Sequence, residues 1–102
     1  MLKVTDRAAT HISQSAKDGK IQELVLRLAP YAKKDGSIEY NRMGFDTAKD
    51  GDIRINCGEA VVVYEPSFKD LLEDTTMDFV EIEGELSFIF LNPNDPNYIP
   101  PN

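Results

Sequence analysis

The sequence contains very little of the chemistry that metal sites and nucleophilic sites usually require. Among its 102 residues there is one cysteine, Cys57, and one histidine, His11. A single cysteine excludes an internal disulfide and any cluster of thiolates. Because no run of about 18 apolar residues occurs, the sequence predicts no membrane span. The first residues lack the apolar core of a signal peptide, so we expect a cytoplasmic protein.

Basic residues are scarce relative to acidic ones. The chain has 11 Lys and Arg against 18 Asp and Glu, which gives a formal net charge of −7. This charge opposes sequence-independent binding to nucleic acid, which depends on clustered Lys and Arg. Apolar residues are not scarce: Leu, Ile, Val and Phe form about a quarter of the chain, enough for the core of one compact domain.

The acidic residues concentrate in the second part of the chain. Residues 1–34 carry seven Lys and Arg against three acids, whereas residues 35–102 carry four against fifteen. Net charge usually concerns solubility, so a solvated face is the simpler interpretation. The alternative is a surface that binds a protein partner with a basic face. The candidate residues for that surface are Glu65, Asp70, Glu73, Asp74, Asp78, Glu81, Glu83 and Glu85.

Periodicity and turn-forming residues predict an α+β domain that is mainly β. Thr5 or Asp6 caps a helix that ends near Asp18-Gly19, with small and apolar residues at i, i+4 and i+8. The β-branched run Ala60–Tyr64 is the best candidate for a central strand, and Pro66-Ser67 opens a second short helix. The whole pattern predicts six or seven short strands and two short helices.

The C-terminal end has a different composition. Its last eleven residues contain four prolines, and proline can neither donate to a β-ladder nor continue a helix. We therefore predict a single domain over residues 1–94 and a flexible tail, rich in Pro and Asn, over residues 95–102.

No spacing in the sequence indicates a catalytic or metal site. His11 and Cys57 have no third group that would orient them as a nucleophilic pair. Asp46, Asp50 and Asp52 resemble part of a calcium loop, but an inner ligand and the bidentate glutamate are missing. The six glycines are too far apart to cradle a phosphate. We expect a protein that is not an enzyme and that holds no metal or other cofactor.

Three stretches of the sequence are informative through their order and spacing. Residues 4–9 read Val-Thr-Asp-Arg-Ala-Ala, and residues 61–63 read Val-Val-Val. Ser67-Phe68 and a Thr-Met-Asp-Phe-Val run at 76–80 follow, and residues 88–94 read Phe-Ile-Phe-Leu-Asn-Pro-Asn. Together they resemble the A-type iron–sulfur carriers, the IscA/HesB-like family. The resemblance covers nearly the whole chain and implies a compact β-sandwich with two short helices.

The same resemblance identifies what the chain is missing. Members of the family hold iron or an iron–sulfur cluster with three cysteines, because soft sulfur ligands suit such clusters. The corresponding positions here are Asp35, Ile99 and Pro101, and none of them can supply a thiolate. Asp35 could offer one carboxylate oxygen, but a lone carboxylate is a weak ligand. Asp35-Gly36 is also favourable turn chemistry between two strands.

The resemblance implies a carrier fold without carrier activity, acting as an accessory or regulatory interaction protein. Cysteine-less relatives of this kind are encoded in the Dsr (dissimilatory sulfite reductase) operons of sulfur-oxidising bacteria, which implies a role in cytoplasmic sulfur oxidation. Without a shared cluster we expect a monomer, with a weak dimer as the alternative. The competing hypothesis is an atypical iron or iron–sulfur carrier that uses Cys57 across a dimer with Asp35 or His11.

Overall fold

The computed structural model describes residues 1–96, which form nine strands, one α-helix and one 3-10 helix. In chain order these are β1 (Lys3–Val4), α1 (Asp6–Asp18), β2 (Val25–Leu28), β3 (Tyr31–Ala32), β4 (Ile38–Glu39), β5 (Met43–Asp46), β6 (Ile53–Cys57), β7 (Ala60–Tyr64), the 3-10 helix (Pro66–Phe68), β8 (Thr76–Ile82) and β9 (Glu85–Leu91). Strands dominate, so the predicted fold class, α+β and mainly β, is confirmed.

Helix α1 begins where the capping pattern predicts. Thr5 has an extended backbone, and its side-chain oxygen accepts a hydrogen bond from the backbone N–H of Ala8 at 3.3 Å. This bond satisfies one of the N–H groups that the first turn leaves unpaired. Ala8, Ile12 and Ala16, spaced four residues apart, are the buried residues of the helix. They place one face of α1 against β7 and β8.

The larger sheet has the strand order β5-β2-β7-β6. Strand β7 lies between β2, to which it is parallel, and β6, to which it is antiparallel. Its residues Val62, Val63 and Tyr64 are at most 1% exposed. The β-branched run is therefore a central strand, as predicted, because a strand covered on both faces needs a continuous apolar sequence.

The second sheet has the order β1-β8-β9, and β3 and β4 form a separate pair. Strands β8 and β9 make an antiparallel hairpin whose register runs from Thr76 opposite Leu91 to Ile82 opposite Glu85. The core lies between the two larger sheets and α1. It consists of Leu2, Ile12, Leu26, Leu28, Ala60, Val62, Tyr64, Leu72 and Met77.

Two details differ from the sequence prediction. Residues 1–96 contain more strands than the six or seven predicted. Two of these strands, β1 and β3, have only two residues each and are too short to be predicted from sequence. Strand β5 contains Gly44 and owes its conformation to pairing with β2. The predicted second helix is a single 3-10 turn followed by further turns up to residue 74. A strand of two residues is too short to show alternation, and β1 pairs with β8, which is distant in sequence.

The predicted tail lies mostly outside the described residues, because residues 97–102 are not among them. Within the described part, the backbone N–H of Asp95 donates to the carbonyl of Asn92 at 3.1 Å. The domain boundary at residue 94 stays a prediction. In residues 1–96, no helix has the length and apolar character that crossing a membrane requires.

Candidate functional site

Asp35, which the sequence resemblance aligns with the first ligand cysteine, lies in the exposed turn between β3 and β4. Its Oδ1 accepts two hydrogen bonds from Ser37, one from the backbone N–H at 2.9 Å and one from the hydroxyl at 2.6 Å. The hydroxyl bond is the main cause that lowers the pKa of Asp35. Gly36 completes the turn with a φ of +89°, a conformation that glycine adopts without strain. The carboxylate therefore closes the turn that the sequence predicted.

The donor set around this turn does not fit a metal ion or a cluster. Pro96 lies beside it, with its Cγ 3.7 Å from the position that a Cβ on Gly36 would take. Ile99 and Pro101 lie outside the described residues, but their side chains carry no donor atom. Within residues 1–96, no three His, Cys, Asp or Glu side chains converge to hold a metal. A lone carboxylate provides too few ligands.

Cys57 is the last residue of β6. It is half-buried, its Sγ donates a long hydrogen bond of 3.6 Å to the carbonyl of Ile55, and burial raises the pKa of the thiol. It borders an open groove of about 590 Å³ between β6 and α1. A thiol with a raised pKa is a poor nucleophile and a poor metal ligand at neutral pH, because both roles need the thiolate.

His11 is occupied by aromatic contacts. Its ring stacks on Phe79, with 3.9 Å between the centroids and 10° between the planes, and it meets Phe88 edge-on at 5.4 Å. Its Nε2 lies 3.4 Å from the hydroxyl of Ser15. His11 and Cys57 thus have different partners, and neither bonds the other.

Two of the three acids that resemble part of a calcium loop, Asp46 and Asp52, form an ion-pair cluster with Arg27 instead. Arg27 on β2 donates from Nε to Asp46 at 2.9 Å and from both terminal nitrogens to Asp52 at 2.9 and 2.7 Å. This bidentate contact lowers the pKa of Asp52 to about 2. The side chains of Arg27 and Asp52 are only 14% and 7% exposed. The cluster ties β2 to the ends of β5 and β6.

Seven of the eight acidic candidates fall into two groups at the two ends of β8, and Asp78 lies in the middle of that strand. Glu65, Asp70, Glu73 and Asp74 precede the strand, and Glu81, Glu83 and Glu85 lie at the turn of the β8–β9 hairpin. The two ends of a seven-residue strand are about 20 Å apart. The eight residues are close together along the chain, and closeness in sequence does not reveal this separation in space.

Among residues 1–96, two of the eight carboxylates have hydrogen-bond or ion-pair partners. Asp78, in the middle of β8, accepts hydrogen bonds of 2.6 Å from the hydroxyl of Thr5 and from Arg7. The hydrogen bond from Thr5 is the main cause that lowers the pKa of Asp78. Glu73 pairs with the amino group of Met1 at 2.6 Å. These two residues support the fold and are poor candidates for partner binding.

Asn92 has a structural role that the sequence pattern alone did not assign. It is 1% exposed, and its Nδ2 donates to the hydroxyl of Tyr40 at 2.9 Å and to the carbonyl of Leu71 at 2.7 Å. Its Oδ1 accepts from the backbone N–H of Asn94 at 2.9 Å. The Asn-Pro-Asn run at 92–94 thereby joins the end of β9 to two other segments. The run itself was the only sign of this structural role in the sequence.

No protein-family model matches the sequence, and no curated protein matches it. Solved structures do match. SufA of Escherichia coli, involved in biosynthesis of iron–sulfur clusters, superposes with a TM-score of 0.73 at 22% identity, over 91% of this chain and 86% of SufA. IscA, solved with a [2Fe-2S] cluster, gives 0.69 at 18% identity, over 91% and 83%.

A third solved structure extends the comparison. A protein of Aquifex aeolicus, determined by NMR in solution, superposes with a TM-score of 0.67 at 28% identity, over 90% of this chain and 91% of that protein. The chain therefore has the fold of SufA and IscA, as the sequence resemblance implied. At these identities the likeness is one of fold, and function depends on the residues that each protein carries at its site.

Proposed function

We propose that this chain is an IscA-like protein that no longer binds iron or iron–sulfur clusters and acts by binding a protein partner. It has no catalytic activity of its own in this proposal. Its role is accessory or regulatory.

The observation that carries the proposal is the turn at Asp35. The fold is that of SufA and IscA, yet the residue at the first ligand position uses its carboxylate to bond Ser37 within its own turn. The other two positions are Ile99 and Pro101, which have no ligand atoms. Cys57 is a half-buried thiol in a different part of the fold. A scaffold without ligands retains its surface as the place for function.

The cellular setting follows from the sequence resemblance. Cysteine-less IscA-like proteins include DsrR, encoded in the Dsr operons of sulfur-oxidising bacteria, and the acidic composition of this chain is similar. The proposed role is therefore in bacterial sulfur oxidation in the cytoplasm. We propose a monomer, because no shared cluster joins two subunits.

Anaerobic reconstitution with iron and sulfide tests the loss of cluster binding. We expect the wild-type protein to remain colourless. A visible absorption band that Cys57→Ser abolishes would overturn the proposal and favour an atypical carrier with Cys57 as ligand. The matched gain-of-function variant is Asp35→Cys combined with Ile99→Cys and Pro101→Cys, which we expect to acquire the band under the same conditions.

Co-purification from a sulfur-oxidising host tests whether the protein binds a partner. We expect a specific protein to be retained at low salt and released at moderate salt, because exposed charge pairs are screened. The cysteine-restored variant provides a control for folding and should retain the same protein.

A further inference from the structure

A groove lies between the first turns of α1 and the β8–β9 hairpin. Its volume is about 640 Å³, and it is lined by residues that include Asp6, His11, Phe79, Glu81 and Leu86. The stacked rings of His11 and Phe79 form an apolar floor. Leu86 forms an apolar wall and is 66% exposed. A space of this size accommodates several side chains of a binding partner.

The hairpin register assigns its side chains to two faces. Phe79 is opposite Phe88, and Glu81 is opposite Leu86. Directly opposed residues share a face, and successive residues alternate. Leu86 and Glu81 therefore face α1 together with Phe79. Ile82, which is 50% exposed, belongs to the other face.

The charged residues of the groove are predominantly acidic. Arg7, the one Lys or Arg that lines the groove, is paired with Asp78 at 2.6 Å. The side chains of Asp6, Glu81 and Glu83 have no hydrogen-bond or ion-pair partner among residues 1–96. Two of these acids border the groove and Glu83 lies in the turn beyond it. The groove thus combines an apolar floor with unpaired negative charge.

We infer that this groove binds a segment of a protein partner that carries a bulky apolar side chain flanked by lysine or arginine. The inference rests on the proposed function and specifies where the partner binds. The apolar side chain contacts His11, Phe79 and Leu86, and the basic residues meet Glu81 and Glu83. Complementary charge of this kind favours a basic partner and disfavours an acidic one.

Titration of the full chain with synthetic peptides tests the inference. The probe is an amphipathic peptide of Leu and Lys, and the matched probe replaces every Leu by Ser at the same charge. Backbone amide shifts in ¹⁵N-labelled protein locate the binding, and fluorescence anisotropy measures Kd. We expect saturable shifts at His11, Phe79 and Leu86 with the Leu/Lys peptide and much weaker binding of the Ser/Lys peptide.

The variants separate the groove from general charge effects. We expect Leu86→Ser to weaken binding about tenfold, and Glu81→Gln with Glu83→Gln to weaken it by a similar factor at low salt. Ile82→Ser lies on the opposite face and should change Kd less than twofold. The matched charge control, Glu65→Gln with Asp74→Asn, removes the same net charge from the other acidic group and should also change Kd little.

Several outcomes would show that the partner does not bind in this groove. These are equal binding of the two peptides, equal weakening by the matched charge control, or shifts confined to residues 65–74. Concentration-dependent shifts at Leu86 without peptide would assign the groove to a second copy of the chain instead. If these assays fail while reconstitution leaves the protein colourless and a partner co-purifies, the proposed function stands and only the groove is wrong.

Discussion

The two ends of the β8–β9 hairpin differ in how their polar groups are used. At the base, where β9 ends, Asn92 is buried and bonded to Tyr40, Leu71 and Asn94. At the tip, residues 81–86 are all exposed. Two of the exposed residues are large and apolar, and the carboxylates of Glu81, Glu83 and Glu85 have no partner in the described part of the chain.

This difference separates stability from binding within one hairpin. The buried and bonded side chain of Asn92 holds the base in one arrangement, because breaking any of its bonds leaves an unpaired group away from water. Exposed groups at the tip contribute little to folding and remain available to a partner. Changes at the base should therefore alter the free energy of unfolding, and changes at the tip should alter binding.

The largest effect is expected at the base. Asn92→Ala removes two donors and the acceptor for Asn94, and it leaves the carbonyl of Leu71 without that bond. We expect the free energy of unfolding to fall by about 3 kcal/mol. Urea denaturation measures this change, with Glu85→Ala at the tip as the control, expected to remain within about 0.5 kcal/mol of wild type. Similar losses for both variants would remove the distinction between base and tip.

A smaller effect is expected in the middle of the hairpin, at Asp78. Removing its charge with Asp78→Asn weakens the bonds from Thr5 and Arg7 and should cost about 1.5 kcal/mol at pH 7. The pKa of Asp78 is lower in the folded protein than its ordinary value of 3.8. Its stabilisation is therefore complete above that ordinary value and is lost as the pH falls through the lowered value.

The stability gap between wild type and Asp78→Asn should consequently shrink as the pH is lowered below about 4. Thermal unfolding from pH 7 to pH 3 measures the gap. Glu81→Gln is the matched control, because its carboxylate has no partner among residues 1–96, and its gap should stay near zero throughout. A gap for Asp78→Asn that is independent of pH would show that its effect does not come from the charge.

The smallest effect on stability is expected in the turn of the hairpin. Glu83 has a φ of 52° and is followed by Gly84 at 83°, a pair of left-handed residues that suits Asn-Gly better than Glu-Gly. Glu83→Asn should raise the free energy of unfolding by about 0.5 kcal/mol. Because the substitution removes a charge, it should also weaken the binding of the Leu/Lys peptide. A variant that is more stable and binds equally well would exclude Glu83 from the binding surface.

Local patterns in the sequence account for much of the fold. Thr5 followed by apolar residues every four positions predicted α1, and the run Ala60–Tyr64 predicted the central strand. Both signals are local, because capping and β-branched packing act within one segment. Strand β5 was less accessible, since its pairing partner β2 lies elsewhere in the chain, and β3 has only two residues, too few to show a pattern.

For the candidate site, too, some features follow from the sequence and others only from the tertiary structure. The sequence by itself determined that Asp35, Ile99 and Pro101 cannot supply a thiolate, because the chemistry of a side chain does not depend on where it lies. It also determined the −7 charge. Only the tertiary structure decided how the eight acids are used: Asp78 pairs with Arg7, Glu73 with the amino terminus, and Glu81 with nothing in the described chain. The reason is physical, since a carboxylate is fixed or free according to which donors the fold brings within hydrogen-bond distance.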